Sequence, residues 1–186
     1  ARIEIQDSVG FTITEEARIS SNLRADYESA LTLLEQGRHA EGVALLESVA
    51  DATPEVSAPR IDLGVAYHRA GDLEAAEKVL ETGRNKANRS ARLLVALGGV
   101  QEDRRQLAKA EATVREALAV DPDYVPAHLL MGHVKFRLGL PQAGLRSYRT
   151  SVFQAVPRTG LPEKFSSWGE YRRHVNVLVN AGIIED

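Results

Sequence analysis

Small residues return at a fixed interval along this chain. Ala30, Gly64, Gly98 and Gly132 stand 34 apart (64−30, 98−64, 132−98), each preceded by Ser29, Leu63, Leu97 or Met131. Gly42, Ala76, Ala110 and Gly144 repeat the interval (76−42, 110−76, 144−110), each followed four residues later by Leu46, Leu80, Val114 or Tyr148. Inside a period the apolar residues recur at three and four, as in Leu63, Ala66, Tyr67 and then Ala76, Val79, Leu80. That spacing is helical, so each period predicts two helices. Between them lie Gln36-Gly37-Arg38, Ala70-Gly71-Asp72 and Leu138-Gly139-Leu140, where glycine can end a helix in the left-handed conformation. The third turn, Asp103-Arg104-Arg105-Gln106, lacks glycine. Pro54, Asn88 and Pro122 form a further column that closes the periods. The two small columns predict close helix crossings, with the larger neighbours filling the facing grooves.

These residues resemble the tetratricopeptide repeat, whose pattern pairs Leu-Gly and Tyr in the first helix with Ala, Phe and Pro in the second. The fullest copy is Leu63-Gly64, Tyr67, Gly71, Ala76 and Leu80. Other copies depart at the aromatic column (Leu33, Gln101, Lys135) and at the tryptophan column (Asp26, Arg60, Leu94, His128). The resemblance implies an all-α protein, a right-handed α-solenoid of four helix-turn-helix repeats over residues 23–156. An N-terminal arm and helix extension over 1–22 and a C-terminal loop and capping helix over 157–186 complete the expected organisation.

Thr12-Ile13-Thr14-Glu15 has capping-box spacing, and Ile13, Ala17, Leu23, Tyr27 and Leu34 can share one stripe, which predicts an early start to the first helix. Arg2-Ile3-Glu4-Ile5 alternates like an extended arm. Such arms are similar to those joining envelope tetratricopeptide proteins to a removed signal or anchor, which favours a periplasmic or envelope location. The start at Ala1 carries the expectation that a segment was removed. At the other end, Pro157, Gly160 and Pro162 predict a loop, and Ser167-Trp168-Gly169-Glu170 a second capping box opening the last helix. Phe165 and Trp168 read as core under that cap, or otherwise as a docking site.

Composition narrows the chemistry. The 186 residues are 44% hydrophobic and 26% charged, which excludes whole-chain disorder. A net charge of −3 provides no positive field to gather a nucleic-acid backbone. The absence of cysteine removes disulfides, thiolate catalysis and cysteine-ligated zinc. His39, His68, His128, His133 and His174 form no two-histidine zinc motif, and Asp121-Pro122-Asp123 falls on an inter-repeat turn. No phosphate-binding glycine loop or serine elbow occurs. The expectation is therefore no enzyme, with no catalytic residue, no cofactor and no metal. No stretch is apolar enough for a bilayer, so no direct membrane insertion is expected.

Function then rests on the concave face that stacked repeats create. By the resemblance, the first helix of each pair lines it. Steps of 34 give four rows: Tyr27, Ile61, Val95, Leu129; Leu31, Val65, Gly99, His133; Leu34, His68, Glu102, Phe136; and Glu35, Arg69, Asp103, Arg137. Acid and base alternate in the last row, as a ladder of ion pairs between repeats or as a polar rail for a bound segment. The carboxylate clamp known in some family members is argued against, since of Tyr27, Leu31, Val65, Arg92 and Ala96 only Arg92 fits. The expected partner is a protein or peptide segment, with no nucleic acid. It would be held by Tyr27, Leu31, Leu34, His68, Arg69, Arg92, Glu102, Asp103, His133, Phe136 and Arg137. Two rival readings stand: an envelope assembly factor acting through anchoring or homodimer formation, and the regulatory part of a larger enzyme.

Overall fold

A computed structural model of the chain describes residues 20–86 and 90–159. These form eight α-helices: α1 Ser21–Glu35, α2 His39–Ala52, α3 Ala58–Arg69, α4 Leu73–Lys86, α5 Ala91–Asp103, α6 Leu107–Val120, α7 Val125–Arg137 and α8 Pro141–Thr159. The described residues contain no strand. The chain divides between Val100 and Gln101 into two compact units. The first holds α1 to α4 and most of α5, and the second holds the end of α5 with α6, α7 and α8.

Paired helices form as the 34-residue interval predicts, and the turn inside each pair has one geometry. Gly37, Gly71 and Gly139 lie at φ 76°, 81° and 76°. In each case the following residue donates its N–H five residues back: Arg38 to Leu33 O at 2.9 Å, Asp72 to Tyr67 O at 2.9 Å and Leu140 to Lys135 O at 2.9 Å. This is the glycine-terminated helix end that satisfies otherwise unpaired carbonyls. The turn without glycine keeps the same bond, Gln106 to Gln101 O at 2.8 Å, by forcing Arg105 to φ 61°. A side chain in that region is disfavoured by about 1–2 kcal/mol. Arg105→Gly should therefore stabilise the protein by about 0.5–1 kcal/mol, after subtracting the extra freedom glycine gives the unfolded chain. A urea midpoint that stays put or falls would contradict this.

The small columns sit where helices cross. In the first unit, a Cβ on Gly64 would lie 2.7 Å from Cγ of Leu80, and one on Gly42 would lie 2.7 Å from Cγ of Leu34. In the second unit the same relations recur: Gly132 meets the Tyr148 ring at 2.6 Å, and Gly144 meets the Phe136 ring at 2.5 Å. Around these crossings Tyr27, Ala30, Leu46, Val49 and Leu63 form one buried cluster. Ile61, Ala76, Leu80, Leu93, Leu97 and Val100 form a second, where α5 joins α3 and α4.

Four of the departures from the family pattern, Arg60, Gln101, His128 and Lys135, are polar side chains with partners. At the tryptophan column, buried Arg60 donates from Nη1 to Thr53 O at 3.2 Å and Pro54 O at 3.3 Å. His128 stands 68 residues on (128−60), and its Nε2 lies 2.7 Å from Pro122 O. A carbonyl only accepts, so this nitrogen carries the proton. At the aromatic column, Tyr67 donates to Glu47 at 2.6 Å, and that bond raises its hydroxyl pKa to about 12. Buried Gln101 accepts from the Thr113 hydroxyl at 2.8 Å, and Lys135 reaches Glu111 at 2.7 Å. The Lys135 bond is the main cause that holds Glu111 below its usual carboxylate range.

Two expectations are corrected. The helix that carries Tyr27 is not continuous through Ser20. Ser20 is extended at ψ 153°, and its hydroxyl accepts from Leu23 N, so α1 begins at Ser21. Pro157 does not open a loop but lies within α8, which continues to Thr159. A proline so near a helix end removes one rung of the ladder without stopping the turn. The arm over 1–19, the turn residue Asn88 and the capping segment from Gly160, with Phe165 and Trp168, lie outside the described residues.

Candidate protein-binding site

In the first unit the expected lining residues separate into two groups. Tyr27 is only 2% exposed and Ile61 only 4%, so both belong to the interior. The Tyr27 hydroxyl donates to Oδ2 of buried Asp62. This corrects the first row: the neighbouring hairpin covers the face that a single hairpin would leave open. Leu31 and Leu34 are half-buried against the same cluster, and Leu34 is committed to the Gly42 crossing. His68 and Arg69 are exposed in the last turn of α3, where positive charge complements the helix dipole. Arg92, half-buried on α5, acts as a charge on Asp62, as does Arg69.

In the second unit the expected residues fall into two contact groups along α7. Arg137 on α7 donates from Nη1 to the Glu102 carbonyl at 3.1 Å and to its carboxylate at 3.2 Å. Glu102 is buried, so its part in a surface is to fix the Arg137 guanidinium, while Asp103 beside it is exposed. In the alternating row Arg137 takes Glu102, one position before Asp103. On the adjoining turn of α7, His133 and Phe136 are exposed. The Phe136 ring stacks on Tyr148 with centroids 5.5 Å apart and planes at 27°. His133 meets the same Tyr148 edge-on at 5.4 Å and 79°. Phe136 keeps 39% of its surface exposed despite this stacking, and Arg137, next in sequence on the same helix, is anchored separately on Glu102.

Sequence reasoning missed Asp62. Its position falls between two helical rows, and a lone aspartate on an amphipathic helix carries no signal of burial. It also missed Thr113 and Glu111, the partners of the aromatic column, which become visible only once the helices are paired. Among the described residues no three His, Asp or Glu side chains converge as a metal site would need, and no helix is long and apolar enough to cross a membrane.

Comparison with known proteins gives two kinds of match. Residues 33–98 match the tetratricopeptide repeat family. Residues 131–186 match glutamate-cysteine ligase family 2. A protein of Rhodospirillum rubrum named as a glutamate–cysteine ligase 2 is 68% identical over 44 residues, 24% of this chain and 11% of the relative. One of Sorangium cellulosum with the same name is 40% identical over 75 residues, 39% of this chain and 20% of the relative. The chain thus spans between about a tenth and a fifth of the length of these relatives. Among solved structures, pilF of Pseudomonas aeruginosa is similar with a TM-score of 0.66 at 16% identity, over 86% of this chain and 76% of that one. MamA of Desulfovibrio magneticus is similar with a TM-score of 0.63 at 18% identity, over 74% and 77%. YrrB, described as a tetratricopeptide protein with an unusual peptide-binding site, is similar with a TM-score of 0.58 at 15% identity, over 69% and 66%. The 34-residue period, the shared turn geometry and these matches give the described residues an all-α helical-repeat fold similar to that of tetratricopeptide-repeat proteins, with residues 33–98 matching that family directly.

Proposed function

We propose that the repeats are a non-enzymatic protein-interaction module that holds an extended or helical segment of a partner by equilibrium binding. The observation that carries this reading is the Phe136 face. An aromatic ring is held by stacking on Tyr148 and left partly open, and the next residue along α7 is an arginine already fixed on Glu102. Prepositioned aromatic and arginine side chains are the groups that contribute most at protein interfaces, because little freedom is lost on binding. Arg69 and Arg92, both acting as charges on Asp62, supply a second, basic region in the first unit, with exposed His68 preceding Arg69. The peptide-binding site named for YrrB supports the same use of the fold.

Replacing Phe136 and Arg137 together with alanine is expected to weaken binding of a captured partner by on the order of a hundredfold, at about 1–2 kcal/mol per side chain. Circular dichroism should show the helical content retained. A dissociation constant unchanged in the folded double variant would refute the site.

The match over residues 131–186 favours a second reading, in which the repeats serve an enzyme of the glutamate–cysteine ligase type as an attached regulatory or docking module. On this reading, deleting α1 to α4 from the gene's full product would change what co-purifies with the enzyme while its turnover persists. Turnover lost together with the helices would instead make them part of the catalytic body.

A further inference from the structure

Asp62 joins two hairpins from inside. It lies on α3 and is 3% exposed. Its Oδ2 accepts the Tyr27 hydroxyl of α1, whereas its Oδ1 is buried with no hydrogen-bond partner. A carboxylate in this position has lost water on one oxygen and gained nothing there, so the penalty falls on the charged form and is relieved when a proton is bound. The groups that act on it are Tyr27 from α1, Arg92 from α5 and Arg69 from its own helix, the two arginines as charges only. The nearby acids of α2 are engaged elsewhere, Glu47 with Tyr67 and Asp51 with Arg60.

We propose that buried Asp62 is a proton-operated latch: the α1–α2 hairpin is held firmly onto α3 when Asp62 is neutral, and that attachment loosens when Asp62 is ionised, because keeping the charge away from water costs more than the Tyr27 bond returns. The direction follows from burial. Desolvation outweighs the Tyr27 bond and both arginines, raising the Asp62 pKa from 3.8 to about 6. A folded-state value above the unfolded one means that the folded protein binds the proton more tightly. The stabilising contribution is therefore complete below the unfolded value and is lost as pH rises through the folded value. The latch closes in mild acid and is released at neutral pH, opposite to the usual behaviour of paired surface carboxylates. Because α1 and α2 pack on α3 through the cluster of Tyr27, Leu46, Val49 and Leu63, the hairpin that loosens is the first.

The test uses the full 186-residue chain as wild type, Asp62→Asn and Tyr27→Phe. Between pH 5 and pH 8 the unfolding equilibrium constant of the wild type should rise on the order of tenfold relative to that of Asp62→Asn, whose amide keeps an oxygen for Tyr27 and carries no charge. Hydrogen exchange, corrected for its intrinsic pH dependence, should show the lost protection in α1 and α2 and not in α6 to α8. NMR titration of the Asp62 carboxyl in the folded protein gives an independent reading. Its midpoint should lie near 6 in the wild type and higher in Tyr27→Phe, where the bond favouring the charged form is gone. Parallel pH profiles for wild type and Asp62→Asn, a carboxyl midpoint near 4, or loosening confined to other helices would each overturn the latch.

Discussion

Gly64→Val is expected to destabilise the protein by about 3 kcal/mol and lower its melting temperature by roughly 6–12 °C. The first added carbon alone would lie 2.7 Å from Cγ and 2.9 Å from both methyl carbons of Leu80. Leu80 is 1% exposed in the cluster shared with Ile61, Ala76, Leu93 and Leu97, so it has no free volume to retreat into. Either α3 and α4 must separate or Leu80 must leave its rotamer, and both lose contacts across the cluster. Gly99, one turn from the end of α5, is the control. A Cβ there would meet nothing within 4 Å, so Gly99→Ala should stabilise by about 0.5–1 kcal/mol through helix propensity alone. Trimming Leu80 to alanine in the Gly64→Val background should recover part of the loss. If thermal unfolding shows the two glycine substitutions to be equivalent, close crossing is not what sets residue 64.

Arg60→Ala is the second large effect, expected at about 3 kcal/mol. The guanidinium supplies Thr53 O and Pro54 O, so its removal takes a donor from each and leaves buried Thr53 O with the Val56 N–H alone. The side-chain stem is lost as well, and its Cδ and Cβ pack beside Gly83, at 3.0 and 3.4 Å from where a Cβ would stand. The corresponding His128→Ala should cost only about 1 kcal/mol. His128 is less buried and makes one bond, and water can replace it at Pro122 O. Urea midpoints that rank the two variants in the opposite order would show that burial does not control the strength of this tie.

The fold was legible where residue size alone decides the outcome. Gly64 opposite Leu80 and Gly132 opposite Tyr148 recur because a crossing admits one small residue, whatever the rest of the helix carries. The inner face was less legible. Tyr27 and Val95 occupy equivalent slots, yet Tyr27 is covered and Val95 half-open, since exposure depends on what the adjacent hairpin places there. Partnerships across helices were not legible. Gln101 with Thr113 and Lys135 with Glu111 repair the aromatic column by contacts that no interval reveals. In the last period, Gly132, Gly144 and Tyr148 satisfy the packing columns inside the stretch that also matches the ligase family. A pattern made of packing positions carries no information on what else the same residues resemble.

The tie from Arg60 to Pro54 and from His128 to Pro122 ends on main-chain oxygen. Any amino acid at 54 or 122 offers the same acceptor, so the anchor survives a change of side chain at the turn itself. Evolution can vary the outer surface of these connections without altering how one period is registered on the next. The reverse does not hold, because a change at 60 or 128 removes the anchor while leaving every turn residue in place.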